Sequence, residues 1–152
     1  MNLETIQVLE AITRKGEVWA KVPGYNYLVS NLGRVFGIEK SQIDYGEIAH
    51  NGYRRVPLYR HSKADKKRVS LLVAEAFLDG YDKSKRVHHL NKHRDDNRAV
   101  NLIICTEAQH RAIHKLYDTL GDEFIQNADL ETLRTLCNYV IKLFVKIGGD
   151  AV

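Results

Sequence analysis

The stretch that most constrains this chain is KRVHHLNKHRDDNRAVNLI, residues 85–103, read together with the segment CTEAQHRAIHKLYDTL that follows it. His88 and His89 are adjacent, and adjacent imidazoles compete for space and repel when both are charged. Five of the seven histidines (His88, His89, His93, His110 and His114) fall within 27 residues, where even scatter would put between one and two. The second segment predicts a helix from about Glu107 to Leu120. Thr106 is suited to accept from the Gln109 amide, and Glu107 complements the dipole in the first turn. His110 and His114 then lie one turn apart on one face, an arrangement that offers two imidazoles to one metal ion. A third ligand must come from elsewhere, and the His88-His89 pair is the natural supplier. Successive residues of an extended segment point in opposed directions, so one can bind metal while the other stays free. Three protein ligands with an open position make a Lewis-acidic site, whereas four make a closed structural one. A free imidazole, with an ordinary pKa near ~6.5, accepts a proton from water at neutral pH. Together these are the tools of phosphodiester hydrolysis. The plain alternative is a solvated helical pair at His110 and His114, with His93, His50 and His61 ordinary surface residues.

Charge gives the second constraint. The chain is +4 overall, but residues 54–68 alone hold Arg54, Arg55, Arg60, Lys63, Lys66, Lys67 and Arg68 against Asp65, a net +6. From Lys115 onward the balance is −2. A basic middle and a mildly acidic tail imply a polyanion-binding face, with nucleic acid the obvious polyanion; a solvated hairpin is the simpler reading of the same run. Cys105 and Cys137, the only cysteines, form no CxxC pair, which fits a reducing compartment rather than a disulfide framework. No apolar run approaches membrane-spanning length, and the opening MNLETIQVLEAITRKG lacks the basic cluster of a secretion signal.

The pattern reads as α+β. Leu3, Ile6, Leu9 and Ile12 predict a short first helix stopping at Gly16. EVWAKVPGYNYLVSNLGRVFGIEK reads as short strands and turns. GYRRVPLYRHSKADKKR continues as a hairpin with HSKADKK at its tip, and VSLLVAEAFL as a helix. A long amphipathic helix is capped by Asp129, carries Leu130, Leu133, Leu136, Cys137, Val140, Ile141 and Phe144 on one face, and ends at Gly148-Gly149. That face is expected to pack on the first helix, with a dimer seam as the alternative. The expected division is 1–16, an N-terminal helix; 17–68, a β-rich module; 69–120, the histidine-bearing core; and 121–152, a helical segment.

VHHLNKHRDDNRAVNL followed by CTEAQHRAIH resembles the HNH nucleases, whose ββα-metal motif carries a histidine base on a strand, an asparagine after a loop, and ligands on a helix. The resemblance implies His89 as general base and Asn101 as the residue that tethers the loop and orients that base. It implies His88, His110 and His114 as ligands of one divalent ion (Mg²⁺, Mn²⁺ or Zn²⁺). Upstream, E-V-W…V-P-G-Y…V-S-N-L-G-R-V looks like the nuclease-associated modular domain of phage and intron-borne homing endonucleases. The likeness covers roughly residues 17–116. It implies a metal-dependent endonuclease of double-stranded DNA, acting in the cytoplasm of a bacterial host; the alternative is a non-catalytic DNA-binding protein or inhibitor with a structural metal site. Expected DNA contacts are Arg34, Arg54, Arg55, Lys66, Lys67, Arg68 and Arg94. Two departures stand out: Ser70-Leu71 replaces a usual His-Arg, and Asn91-Lys92-His93 with Asp95-Asp96-Asn97 replaces a loop usually reading DGN…NN. The helix-turn-helix module of longer homing enzymes is not matched, so long-site specificity is expected from the N-terminal part or a partner.

Overall fold

The computed structural model describes residues 1–146. Helix α1 (Leu3–Ile12) is capped by Asn2, whose side chain accepts from the Thr5 amide at 2.8 Å. Four short strands follow as an antiparallel meander: β1 (Trp19–Lys21), β2 (Tyr27–Ser30), β3 (Val35–Gly37) and β4 (Gln42–Asp44). A second sheet contains β5 (Glu47–Ile48), β6 (Arg54–Arg60) and β7 (Lys63–Arg68). Helix α2 (Val69–Phe77) leads to β8 (Arg86–His89), which pairs antiparallel with β9 (Leu102–Cys105). The chain continues through α3 (Glu107–Leu120), α4 (Asp122–Asn127) and α5 (Leu130–Lys146).

Several expectations change in detail. The tip between β6 and β7 is only His61-Ser62, both at positive φ (49° and 62°), and KADKKR is strand rather than tip. Such a charged run suits an edge strand, because it blocks pairing with another chain. The short helix α4 was not legible as an element of its own. The expected stop at Gly148-Gly149 lies outside the described residues.

Two apolar cores meet at the β8–β9 pair. The first gathers Val22, Tyr27, Val29 and Val35 from the meander, Val56 and Leu58 from β6, Val69, Leu72 and Val73 from α2, and Leu102 from β9. It therefore crosses the expected boundary at 68/69. The second gathers Leu90, Ile103, Cys105, Ile113, Tyr117, Ile125, Leu133 and Cys137. Helix α5 packs here on α3, and no residue of α1 belongs to this core, which corrects the expected packing partner. Helix α1 instead sits against the meander, where Thr5 Oγ1 and Ser41 Oγ lie 2.8 Å apart. Side chains alternate along β9, so Leu102 enters the first core and Ile103 the second. Each fully buried aliphatic residue contributes on the order of 1.5–3 kcal/mol. That thin, doubly covered hairpin carries the two histidines.

Candidate metal centre

Strand alternation explains the doubled histidine. His88 stands opposite Ile103 and His89 opposite Leu102, so the two rings project toward different sides of the hairpin. His88 goes toward α3, where its ring centroid is 5.4 Å from that of His110 and 5.1 Å from that of His114. His89 goes toward the N-terminal strands, with its ring 5.8 Å from that of Tyr53. Both still line one small cleft of about 100 Å³, together with Tyr53, Val87, Lys92, Arg94, His110 and His114.

Helix α3 begins with a full capping box: Thr106 Oγ1 accepts from the Gln109 amide, and the Gln109 side chain accepts from the Thr106 amide. That fixed start sets the helical phase. Ile113 and Tyr117 point into the second core, while His110 and His114 face β8.

One ligating nitrogen from each of His88, His110 and His114 lies within 4.8 Å of the others. His110 Nε2 and His114 Nε2 are 3.3 Å apart. Two nitrogens bound at ~2.0–2.1 Å to a tetrahedral ion are separated by about 3.4 Å, so the pair is already spaced for one ion. His88 Nε2 is buried with no hydrogen-bond partner, a state that natural structures rarely leave unexplained. Burial, reinforced by His114 and His110, pushes His88 down to about 3, and burial followed by His114 lowers His110. Neutral imidazoles are what ligation requires. The residues present fit a divalent ion.

His89 is equally buried but differently partnered. Its Nε2 lies 3.1 Å from Asn97 Oδ1, and Asn97 itself is buried. Burial lowers the His89 pKa, partly offset by the hydrogen bond to Asn97. The Asn101 side chain makes no hydrogen bond to His89. Its Oδ1 accepts from the Asn91 amide at 3.1 Å, and its Nδ2 donates to Asn91 Oδ1 at 2.9 Å and to the Asp96 carbonyl at 2.8 Å. Asn101 thus closes the loop, while Asn97, given no role in the sequence analysis, bonds to His89. Asp96 is engaged by Asn91 and Arg98 rather than free for metal, and Asp95 is exposed. His93 is exposed in the loop.

Among the expected basic contacts, Arg34 is redirected. Its Nε donates to Glu17 Oε1 at 2.8 Å and its Nη2 to Glu17 Oε2 and the Ile12 carbonyl, while its face covers Trp19. Burial works to raise the Glu17 pKa, but the donors from Arg34 and the Arg14 amide hold it at about 2. The guanidinium is spent inside the fold. Arg55 and Arg68 are directly opposite each other on β6 and β7, on the face away from Val56 and Leu58. Like charges in that position destabilise a sheet by themselves, which suits a surface built to meet an anion. Lys66 and Lys67 make exposed pairs with Glu47 and Asp65, which are weak and easily exchanged. Arg54 Nη1 caps the Tyr45 carbonyl at 2.7 Å. Arg68 and Arg94 both stack on Tyr53, at 4.2 and 5.0 Å from its ring centroid, so the basic face runs into the cleft.

Residues 17–59 match the family model described as the NUMOD4 motif. The DNA endonuclease I-HmuI of Bacillus phage SP01 is 34% identical over 86 residues, which is 55% of this chain and 49% of that protein. The solved structure of the HNH homing endonuclease I-HmuI, which concerns its DNA binding and cleavage, superposes with a TM-score of 0.64 at 30% identity, over 68% of this chain and 61% of that one. In sequence and in fold the chain is similar to an HNH homing endonuclease. An uncharacterized HNH endonuclease, L247 of Acanthamoeba polyphaga mimivirus, is 30% identical over 80% of this chain and 32% of its own length. The chain thus spans about half the length of the phage relative and about a third of the mimivirus one. No described helix is long and apolar enough to cross a membrane. One cleft residue, Tyr53 from the NUMOD4 stretch, escaped the sequence reading; Lys92 also lines the cleft and holds φ of 65°.

Proposed function

We propose that this chain is a metal-dependent DNA endonuclease that nicks or cuts double-stranded DNA. The observation that carries the proposal is the convergence of His88, His110 and His114 in one cleft with a separate buried imidazole, His89. In this reading His88, His110 and His114 hold the ion, whether Mg²⁺, Mn²⁺ or Zn²⁺. When bound, it supplies Lewis acidity toward the scissile phosphate and the departing 3′ oxygen.

The protein's own part is proton transfer and positioning. His89 takes a proton from the attacking water as its oxygen bonds to phosphorus and the bond from phosphorus to the 3′ oxygen breaks. Asn101 keeps the loop closed. Arg55, Arg68, Arg94, Lys66 and Lys67, with Arg54 at the edge, track the backbone phosphates. With about six phosphate contacts, log K against log salt should fall with a slope of about −5. A closed structural site would need a fourth ligand. Among the described residues the histidine group has three members, which favours the enzyme over a non-catalytic binder.

The phage relative supports action in the cytoplasm of an infected bacterium. Exposed Tyr139, Leu143 and Val145 on α5 support the finer proposal of a homodimer, to be tested by sedimentation. The decisive assay is supercoiled-plasmid nicking by wild type and His89→Ala across Mg²⁺, Mn²⁺ and Zn²⁺. Wild type should nick and the variant should lose at least about 10²-fold. A wild type that binds DNA yet never nicks defeats the proposal, and an unimpaired His89→Ala removes His89 as base.

A further inference from the structure

Asn97 orients its amide unambiguously. Its Nδ2 donates to the Asp95 carbonyl at 3.1 Å, so its Oδ1 must face His89. A flipped amide would set two oxygens against each other. An acceptor at Nε2 forces the neutral His89 to carry its proton there, which leaves the lone pair on Nδ1. His89 Nδ1 makes no hydrogen bond among the described residues. With His89 and Asn97 5% and 4% exposed, water has little room to replace this bond.

Asn97 is itself seated on the turn that joins β2 to β3. A Cβ added at Gly33 would come within 2.9 Å of the Asn97 carbonyl carbon, oxygen and Cβ, and Gly33 has φ of +77°. Beside that contact the Ala99 amide donates to the Asn31 carbonyl at 2.8 Å. The turn is stiff. Ser30 Oγ accepts from the Leu32 and Arg34 amides, Asn31 bonds to Val18 N and the Gly16 carbonyl, and the Arg34 side chain is fixed by buried Glu17. The chain of contact runs Glu17, Arg34, Gly33, Asn97, His89.

We propose that Asn97 is the positioning residue for His89 and that the Ser30–Arg34 turn of the NUMOD4 stretch holds Asn97 in place, so this stretch acts on the chemical step as well as on any DNA contact. The catalytic half of this claim rests on the endonuclease reading; the tautomer half does not. Arg34, expected to touch DNA, then serves the base from behind.

Two experiments test it. Imidazole ¹⁵N shifts in the metal-free wild type should show His89 as a single tautomer protonated at Nε2, and a proton on Nδ1 overturns the proposal whether or not the chain is a nuclease. Single-turnover nicking at saturating DNA and metal should fall roughly 10²-fold in Asn97→Ala, with DNA and metal affinities unchanged. Asn97→Asp, which keeps an acceptor, should recover at least a tenth of wild-type rate. Gly33→Ala should lower the same rate constant without changing DNA affinity. A folded Asn97→Ala at wild-type rate, or equal losses in the Ala and Asp variants, overturns the positioning role. Should Asn97→Ala fail to fold, Gly33→Ala and the wild-type spectrum still decide. Loss of DNA affinity alone in Gly33→Ala removes the turn from the chemical step. A wild type that does not nick, beside a correct His89 tautomer, fails the endonuclease reading and its catalytic consequence but leaves the tautomer assignment standing.

Discussion

His88 is an imidazole kept neutral by its surroundings, and that has a signed consequence. Its folded pKa, about 3, lies below the ordinary value, so the unfolded chain binds more protons between roughly pH 3 and ~6.5. Stability of the metal-free protein is fully present above ~6.5 and is lost as pH falls through that window, by on the order of several kcal/mol. Urea midpoints at pH 7, 5.5 and 4 should fall steeply for wild type and less for His88→Gln; parallel curves would contradict the assignment. Lys92 makes the opposite case, a residue whose backbone is unfavourable. A lysine at φ of 65° sits where glycine is at ease, and its pair with Asp122 is half-exposed and weak. Lys92→Gly should raise stability by up to about 1 kcal/mol in chemical denaturation. The same change should slow nicking, because Lys92 lines the cleft. A variant both more stable and fully active would mean that the lysine has no part in function.

Elements hold the site together from both ends of the chain. Arg134 on α5 donates to the carbonyls of Val100 (2.9 Å) and Leu102 (3.1 Å), which bracket Asn101. Arg134→Ala should therefore destabilise by about 1–2 kcal/mol and lower the melting temperature by a few degrees. An unchanged melting temperature would show that α5 does not brace the loop. The sequence made α3 legible because its capping box and its His110/His114 spacing are local signals. The placement of α5 on α3 rather than α1 was not, since an amphipathic stripe names an apolar face but no partner. Asn97 and Tyr53 were invisible for a related reason. Their meaning lies in contacts with His89 that no periodicity encodes. The hairpin tip was misplaced because charge was read as loop, whereas a charged edge strand obeys the same composition.

At the scale of the whole molecule, an apolar hairpin between two cores presents two histidines to opposite neighbours. His88 meets the helix that carries His110 and His114, and His89 meets the N-terminal part of the fold at Tyr53. One doubled residue thereby couples both halves of the fold. The direct test is to strip metal from the wild type with chelator and follow the rate of plasmid nicking as a divalent ion is added back in equivalents per chain. The expected result is no nicking without metal, a rise that levels at one ion per chain, and loss of that response in His88→Ala. Full nicking in chelator, or an unchanged titration in His88→Ala, would contradict the account.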